Sequence, residues 1–202
     1  KGGAGRDPGR LPGRRSVAGW NKKPIELIRK YEPDLLWFDV PMADSDHLNA
    51  KELIADYYNR ADEEGDKEVG VSDRAGTDPV GPTVDPDGRE NDEYHGDFIT
   101  PEYVTLDEIS EQKWELCRGV GLSFGYNAAE GHDEHLSAEE LIHMFVDVVS
   151  KNGNLLINVG PKADGTIPHL QTEPLEALGD WLAVTGDAIF GTTYCVTPEG
   201  AA

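Results

Sequence analysis

The sequence predicts an α/β fold in which parallel strands alternate with helices, as in a partial (β/α)8 barrel. Short, nearly continuous apolar runs at Leu35-Leu-Trp-Phe38 and Asn154-Leu-Leu-Ile-Asn-Val159 read as strands buried on both faces, the pattern of a parallel sheet. Helical periodicity recurs between them, which is the β-α alternation of parallel folds. Four strands can be read along the chain, where a closed barrel needs eight and about 250 residues.

Taken in order, Pro24 suits the first position of a helix, and Ile25, Leu27 and Ile28 support one running to Lys30. A strand over 34–39 follows. Leu48, Leu53, Ile54, Tyr57 and Tyr58 mark a helix over 47–62. Glu68-Val-Gly-Val-Ser72 reads as a short strand ending at Asp73-Arg74. Residues 75–97 carry Pro79, Pro82, Pro86, several glycines and many aspartates, so they read as one long loop. A strand within 114–124 comes next. Ser137-Ala-Glu-Glu140 is a capping box, and the helix it starts gathers Leu141, Met144, Phe145 and Val148 on one face. After the strand at 154–159, a last helix over 173–184 uses Leu175, Leu178 and Leu182.

Charge narrows the partners. Of the 202 residues, 39 are acidic and 18 are Lys or Arg, a formal net of −21. Phosphate binding needs basic patches, so neither nucleic acid nor an anionic membrane is an expected partner. No apolar run reaches membrane-spanning length. Cys117 and Cys195 lie far apart and make no disulfide framework, which suits a reducing, cytoplasmic compartment. Residues 1–23 hold seven of the Lys and Arg but only one acid, Asp7; the rest therefore carries 11 basic and 38 acidic residues, a net of −27. Such a charge points to adaptation to high salt, with an ordinary acidic enzyme as the other reading. The Gly-, Pro- and Arg-rich opening cannot bury enough surface to order itself, so 1–23 reads as a disordered or artefactual leader, 24–195 as the folded region and 196–202 as a tail.

The chemistry starts at Tyr31-Glu-Pro-Asp-Leu-Leu-Trp-Phe-Asp39, a strand that delivers a carboxylate at its carboxyl end, where catalytic groups sit in β/α barrels. A plain cap for the next element is the alternative reading. Further along come His95-Gly-Asp-Phe-Ile-Thr-Pro-Glu102-Tyr, Leu122-Ser-Phe-Gly-Tyr-Asn127, Val149-Ser-Lys-Asn-Gly-Asn-Leu-Leu-Ile-Asn-Val-Gly-Pro-Lys-Ala-Asp-Gly-Thr-Ile-Pro168 and Gly186-Asp-Ala-Ile-Phe-Gly-Thr192. Over residues 24–195 this ordered set resembles the α-L-fucosidases, glycoside hydrolase family 29. The resemblance implies a retaining hydrolase of terminal α-L-fucosides acting on a fucosylated oligosaccharide or glycoconjugate, without cofactor or metal, with an oligomer left open. In that family strands precede the WxD motif, so the chain looks like the C-terminal half of a catalytic barrel, inactive by itself.

By this resemblance Asp39 is the nucleophile and Glu102, in the DFxTxEY segment, the acid/base. Retention needs one ionised carboxylate to attack the anomeric carbon and a second that gives a proton and then takes one from water. Arg74 matches the arginine of a DRxG segment, although Ala75 stands where an aromatic is common and the loop to Glu102 is long. Trp37 and Phe124 match aromatic positions around the sugar, where Phe124 would wall the 6-methyl of fucose; core packing is the other reading for both. Glu115 is either a barrel-interior acid or a solvated one. His132 and His135, three apart in a polar loop, do not make a zinc signature. Gly119 and Gly121 lack the third glycine of a dinucleotide motif. Another retaining glycosidase on the same barrel, or a carbohydrate-binding relic, are the alternatives.

The charge generates a test. Screening shortens the reach of repulsion from about 10 Å at 0.1 M salt to about 3 Å at 1 M. The melting temperature of the full-length protein should therefore rise between 0.1 and 2 M KCl; a flat or falling curve removes the high-salt reading.

Overall fold

The computed structural model describes residues 14–39, 50–63, 65, 67–75 and 96–194. They belong to two compact units that divide between Asp97 and Phe98. In both, parallel strands alternate with helices.

The first unit runs α1 (Arg14–Tyr31), β1 (Leu35–Leu36), α2 (Ala50–Glu63) and β2 (Gly70–Val71), with a 3-10 turn at Asp73–Ala75. The strands pair in parallel, Leu35 opposite Gly70 and Leu36 opposite Val71. Ile28 of α1, Leu53 and Tyr57 of α2 and Val71 form the core, with Ile25, Leu36 and Phe38 packed against it. Leu53 and Tyr57 are four apart, so they share one face of α2. Tyr57 is 3 % exposed and donates its hydroxyl to Pro33 O at 2.9 Å.

Two expectations need correcting here. α1 starts at Arg14, with Pro24 inside it rather than at its first position, so residues 14–23 of the supposed leader are helical. Arg14, Arg15, Ala18, Lys22 and Lys23 are good helix formers. Residues 1–13 lie outside the described residues. The strand at 34–39 pairs over two residues only, and Leu35 is 58 % exposed, so this strand is not buried on both faces. Among the described residues its strand partner is β2.

The second unit contains β3 (Phe98–Ile99), β4 (Lys113–Gly119), α3 (Ala138–Ser150), β5 (Gly153–Asn158) and α4 (His169–Thr185). Its sheet has the order β3-β4-β5, parallel throughout. Central β4, at the strand expected within 114–124, buries Trp114, Glu115, Leu116 and Cys117 in succession. Trp114, Leu116 and Val148 form the core, joined by Ile99, Met144 and Leu155. The capping box at Ser137 is present: its Oγ accepts from Glu140 N–H while the Glu140 side chain reaches back to Ser137. This holds the Glu140 carboxyl below its usual range.

The turn from α3 to β5 is shaped by Trp114. Its indole N–H donates to Lys151 O at 2.9 Å, and a Cβ on Gly153 would lie 2.5 Å from the ring, so only glycine lets β5 start there. β3 was not foreseen. β5 is half-buried rather than buried, with Leu156 41 % exposed; among the described residues it stands at the edge of its sheet. α4 begins at His169, four residues before its expected start, with Pro174 inside it. Cys117 is buried; Cys195 and the tail at 196–202 lie outside the described residues. Among the described residues no helix is long and apolar enough to cross a membrane.

Burial, reinforced by Asp34 and Asp97, raises Tyr57 from 10.0 to about 12. A raised phenol favours the folded state below the ordinary value, and that contribution fades as pH climbs through 10 toward 12. Between pH 9 and 11 the full-length protein should lose about 1 kcal/mol more than Tyr57→Phe, measured by urea unfolding. Parallel losses in the two proteins would contradict it.

Candidate active site

In the first unit the site residues lie just past the carboxyl ends of β1 and β2. Ser72, fully buried, grips the end of β1 and the chain just past it: its N–H donates to Leu36 O at 2.9 Å, and its Oγ accepts from Phe38 N–H at 2.9 Å. This clamp delivers Asp39 to the rim with its side chain 84 % exposed. Arg74, in the turn after β2, is 8 % exposed. Its Nη1 donates to Asp39 O at 3.2 Å and lies 3.8 Å from Asp39 Oδ1. The guanidinium carbon stands 4.8 Å from the centre of the Trp37 ring. Three expected site residues, Trp37, Asp39 and Arg74, are thus brought into one group. Asp39 is well solvated, so the ion pair contributes little to stability and its role is orientation.

Asp97 completes this edge and was not singled out in the sequence. Its Oδ2 accepts from Val71 N–H at 2.7 Å and from the Tyr58 hydroxyl, while its own N–H donates to Val71 O at 2.8 Å. An acid ahead of Phe98 gives no sign of this, because the pairing depends on where β2 ends.

The second unit places Glu102 beyond β3. Pairing continues past β3 through Cys117 N–H to Pro101 O at 3.0 Å, and Tyr103 N–H to Cys117 O at 3.1 Å, so Glu102 sits level with Cys117. Glu102 is exposed. Tyr103 follows with φ +57°, a left-handed conformation. Its ring meets Phe124 edge-on at 5.2 Å, and Arg118 lies 5.1 Å over the same ring. Burial lowers the Arg118 guanidinium from its ordinary value, against the opposing pull of Tyr103 and Glu140.

Phe124, 38 % exposed, is therefore a rim residue rather than core. Asn158, the last residue of β5, donates its amide to Phe124 O, and Val120 N–H donates to Asn158 O at 3.0 Å. A Cβ on Gly160 would fall 2.4 Å from Tyr126 N. Buried Gln171 accepts from Gly160 N–H at 2.8 Å. The LSFGYN and NVGP segments are thus bound together. Glu115 is 8 % exposed and accepts from Asn154, so it is an interior acid. His135 Nδ1 lies 2.7 Å from Gly131 O, and among the described residues no three His, Cys, Asp or Glu side chains gather as for a metal.

Parallel strands alternating with helices, with carboxylates, an arginine and aromatic rings at strand carboxyl ends, are the equipment of the β/α glycoside hydrolases. The family model for alpha-L-fucosidase matches residues 15–187, and the chain belongs to that family. It is 34% identical over 170 residues to the plasma alpha-L-fucosidase of Homo sapiens, covering 83% of this chain and 33% of that protein. A putative alpha-L-fucosidase of Caenorhabditis elegans is 33% identical over 171 residues, with 83% and 33% covered. Among solved structures, the alpha-fucosidase of Thermotoga maritima in complex with a mechanism based inhibitor is 42% identical with a TM-score of 0.71, covering 92% of this chain and 38% of that one. Alpha-L-fucosidase isoenzyme 1 from Paenibacillus thiaminolyticus is 28% identical with a TM-score of 0.70, covering 94% and 44%. The chain spans about a third of the length of the curated relatives it matches.

The Arg74 arrangement can be tested without a substrate. Arg74→Lys keeps the charge but loses the planar stack on Trp37. The full-length protein should lose about 1 kcal/mol of stability, with tryptophan emission shifted to the red. An unchanged melting temperature and spectrum would show that the stack contributes nothing.

Proposed function

We propose that the protein hydrolyses terminal α-L-fucosides of oligosaccharides or glycoconjugates with retention of anomeric configuration. The observation that carries this reading is Asp39, held at a strand's carboxyl end by Arg74 over Trp37. Membership of the family supports it. So does the Thermotoga maritima enzyme, 42% identical, which has been seen in complex with fucose. The paired parallel strands of both units, with an exposed Leu35 at one edge, support a partial (β/α)8 barrel for the folded region.

In the first step an Asp39 carboxylate oxygen bonds to the anomeric carbon as the bond to the aglycone oxygen breaks, and Glu102 gives that oxygen its proton. In the second, Glu102 takes a proton from water, whose oxygen displaces Asp39 from the anomeric carbon. Two inversions give net retention. Phe124 offers an apolar wall to a 6-deoxy sugar. Trp37 keeps the Arg74 guanidinium directed at Asp39, which orients the nucleophile.

The experiment uses the chain completed to the length of its relatives. Asp39→Gly should abolish hydrolysis of an aryl α-L-fucoside, and azide should restore turnover as the β-fucosyl azide. Glu102→Ala should slow substrates with poor leaving groups by about 100-fold or more and activated aryl fucosides far less. Near-normal turnover by Asp39→Gly would sink the assignment.

A further inference from the structure

We infer that Tyr103 is the positioning residue that aims Glu102, resting on the acid/base reading of Glu102 above. The backbone carries the first part of the argument. Glu102 is the last residue after β3 to pair with β4, through its bridge to Cys117. The chain then turns at Tyr103, whose φ of +57° is uncommon for a bulky aromatic residue. Such a conformation persists only where its surroundings over-determine it. Here Tyr103 N–H is anchored on Cys117 O at 3.1 Å.

The side chain supplies the second part. The Tyr103 hydroxyl accepts from Gly119 N–H at 3.1 Å and faces Gly121 O at 3.4 Å. It therefore occupies the point where β4 ends and the chain turns toward Phe124. Gly119 is required there, because a Cβ would lie 3.0 Å from this hydroxyl and 2.8 Å from Ser123 O. The ring is gripped as well, by Phe124 at its edge and Arg118 over its face. With both its main chain and its hydroxyl bound to β4 and the turn that follows, Tyr103 cannot rotate unless β4's end moves. Glu102, one residue earlier on the same reversal, inherits that fixed direction. A tyrosine that only filled space would need neither the hydroxyl contacts nor the left-handed backbone.

A positioning residue should affect the step that Glu102 performs and leave the rest. In the full-length enzyme Tyr103→Phe keeps the ring and removes the hydroxyl. Its kcat on phenyl α-L-fucoside should fall about tenfold, while kcat on an activated dinitrophenyl fucoside and both KM values stay within about threefold. Tyr103→Asn keeps a residue type that tolerates the left-handed region, and should show the same dependence on leaving group if Tyr103→Phe does not fold. Equal losses on both substrates, or a change confined to KM, would overturn the inference. Glu102→Ala is measured alongside. If it discriminates between leaving groups and the Tyr103 variants do not, only the positioning role falls. If Glu102→Ala does not discriminate either, the acid/base reading falls and takes this inference with it.

Discussion

Two strands that run parallel have their carboxyl ends at the same edge, and in this protein every residue assigned to the site follows from that constraint. In the first unit, β1 and β2 pair so that Asp39 and Arg74, each a few residues past its strand, meet across the edge. In the second, β4 pairs in register with β5 over six positions, from Trp114 opposite Gly153 to Gly119 opposite Asn158. Glu102, the Phe124 turn and Asn158 then emerge at the same end of that ladder. A shift of register by one residue would exchange the two faces of β4 and take Trp114 from its place opposite Gly153.

At the strand ends backbone groups need new partners, and the chain finds them in a few polar side chains. Ser72 supplies one to Phe38, Asp97 one to Val71, Tyr103 one to Gly119, and Gln171 one to Gly160. The same contacts fix where the site residues stand. Rigidity at the rim is thus a by-product of satisfying strand ends, and Asp39 and Glu102 stand there as exposed residues on a held main chain.

Much of this could be read from residues alone where pattern is long enough to show itself. The Ser137 capping box, the Leu141 and Val148 face of α3 and the strand of β4 are local signals, and the structure has all three. Asp39 was legible because four apolar residues precede it. β3 was not, since two residues carry no period. The exposure of Leu35 and Leu156 escaped because apolar composition does not say how many neighbours a strand has. Nor could the reversal at Tyr103 be seen: nothing local favours a left-handed tyrosine, and only its contacts with Cys117, Gly119 and Phe124 make it the stable choice. The helical start at Arg14 was hidden behind the composition of the leader.

The central claim is that Asp39 forms the bond to the sugar. Its most direct test is to inactivate the full-length enzyme with a 2-fluoro-fucosyl fluoride, digest it and locate the added mass by tandem mass spectrometry. The account predicts one fucosyl ester, on the peptide that contains Leu35-Leu-Trp-Phe-Asp39 and at Asp39 itself. A label on any other carboxylate, or inactivation with no covalent adduct, would contradict it.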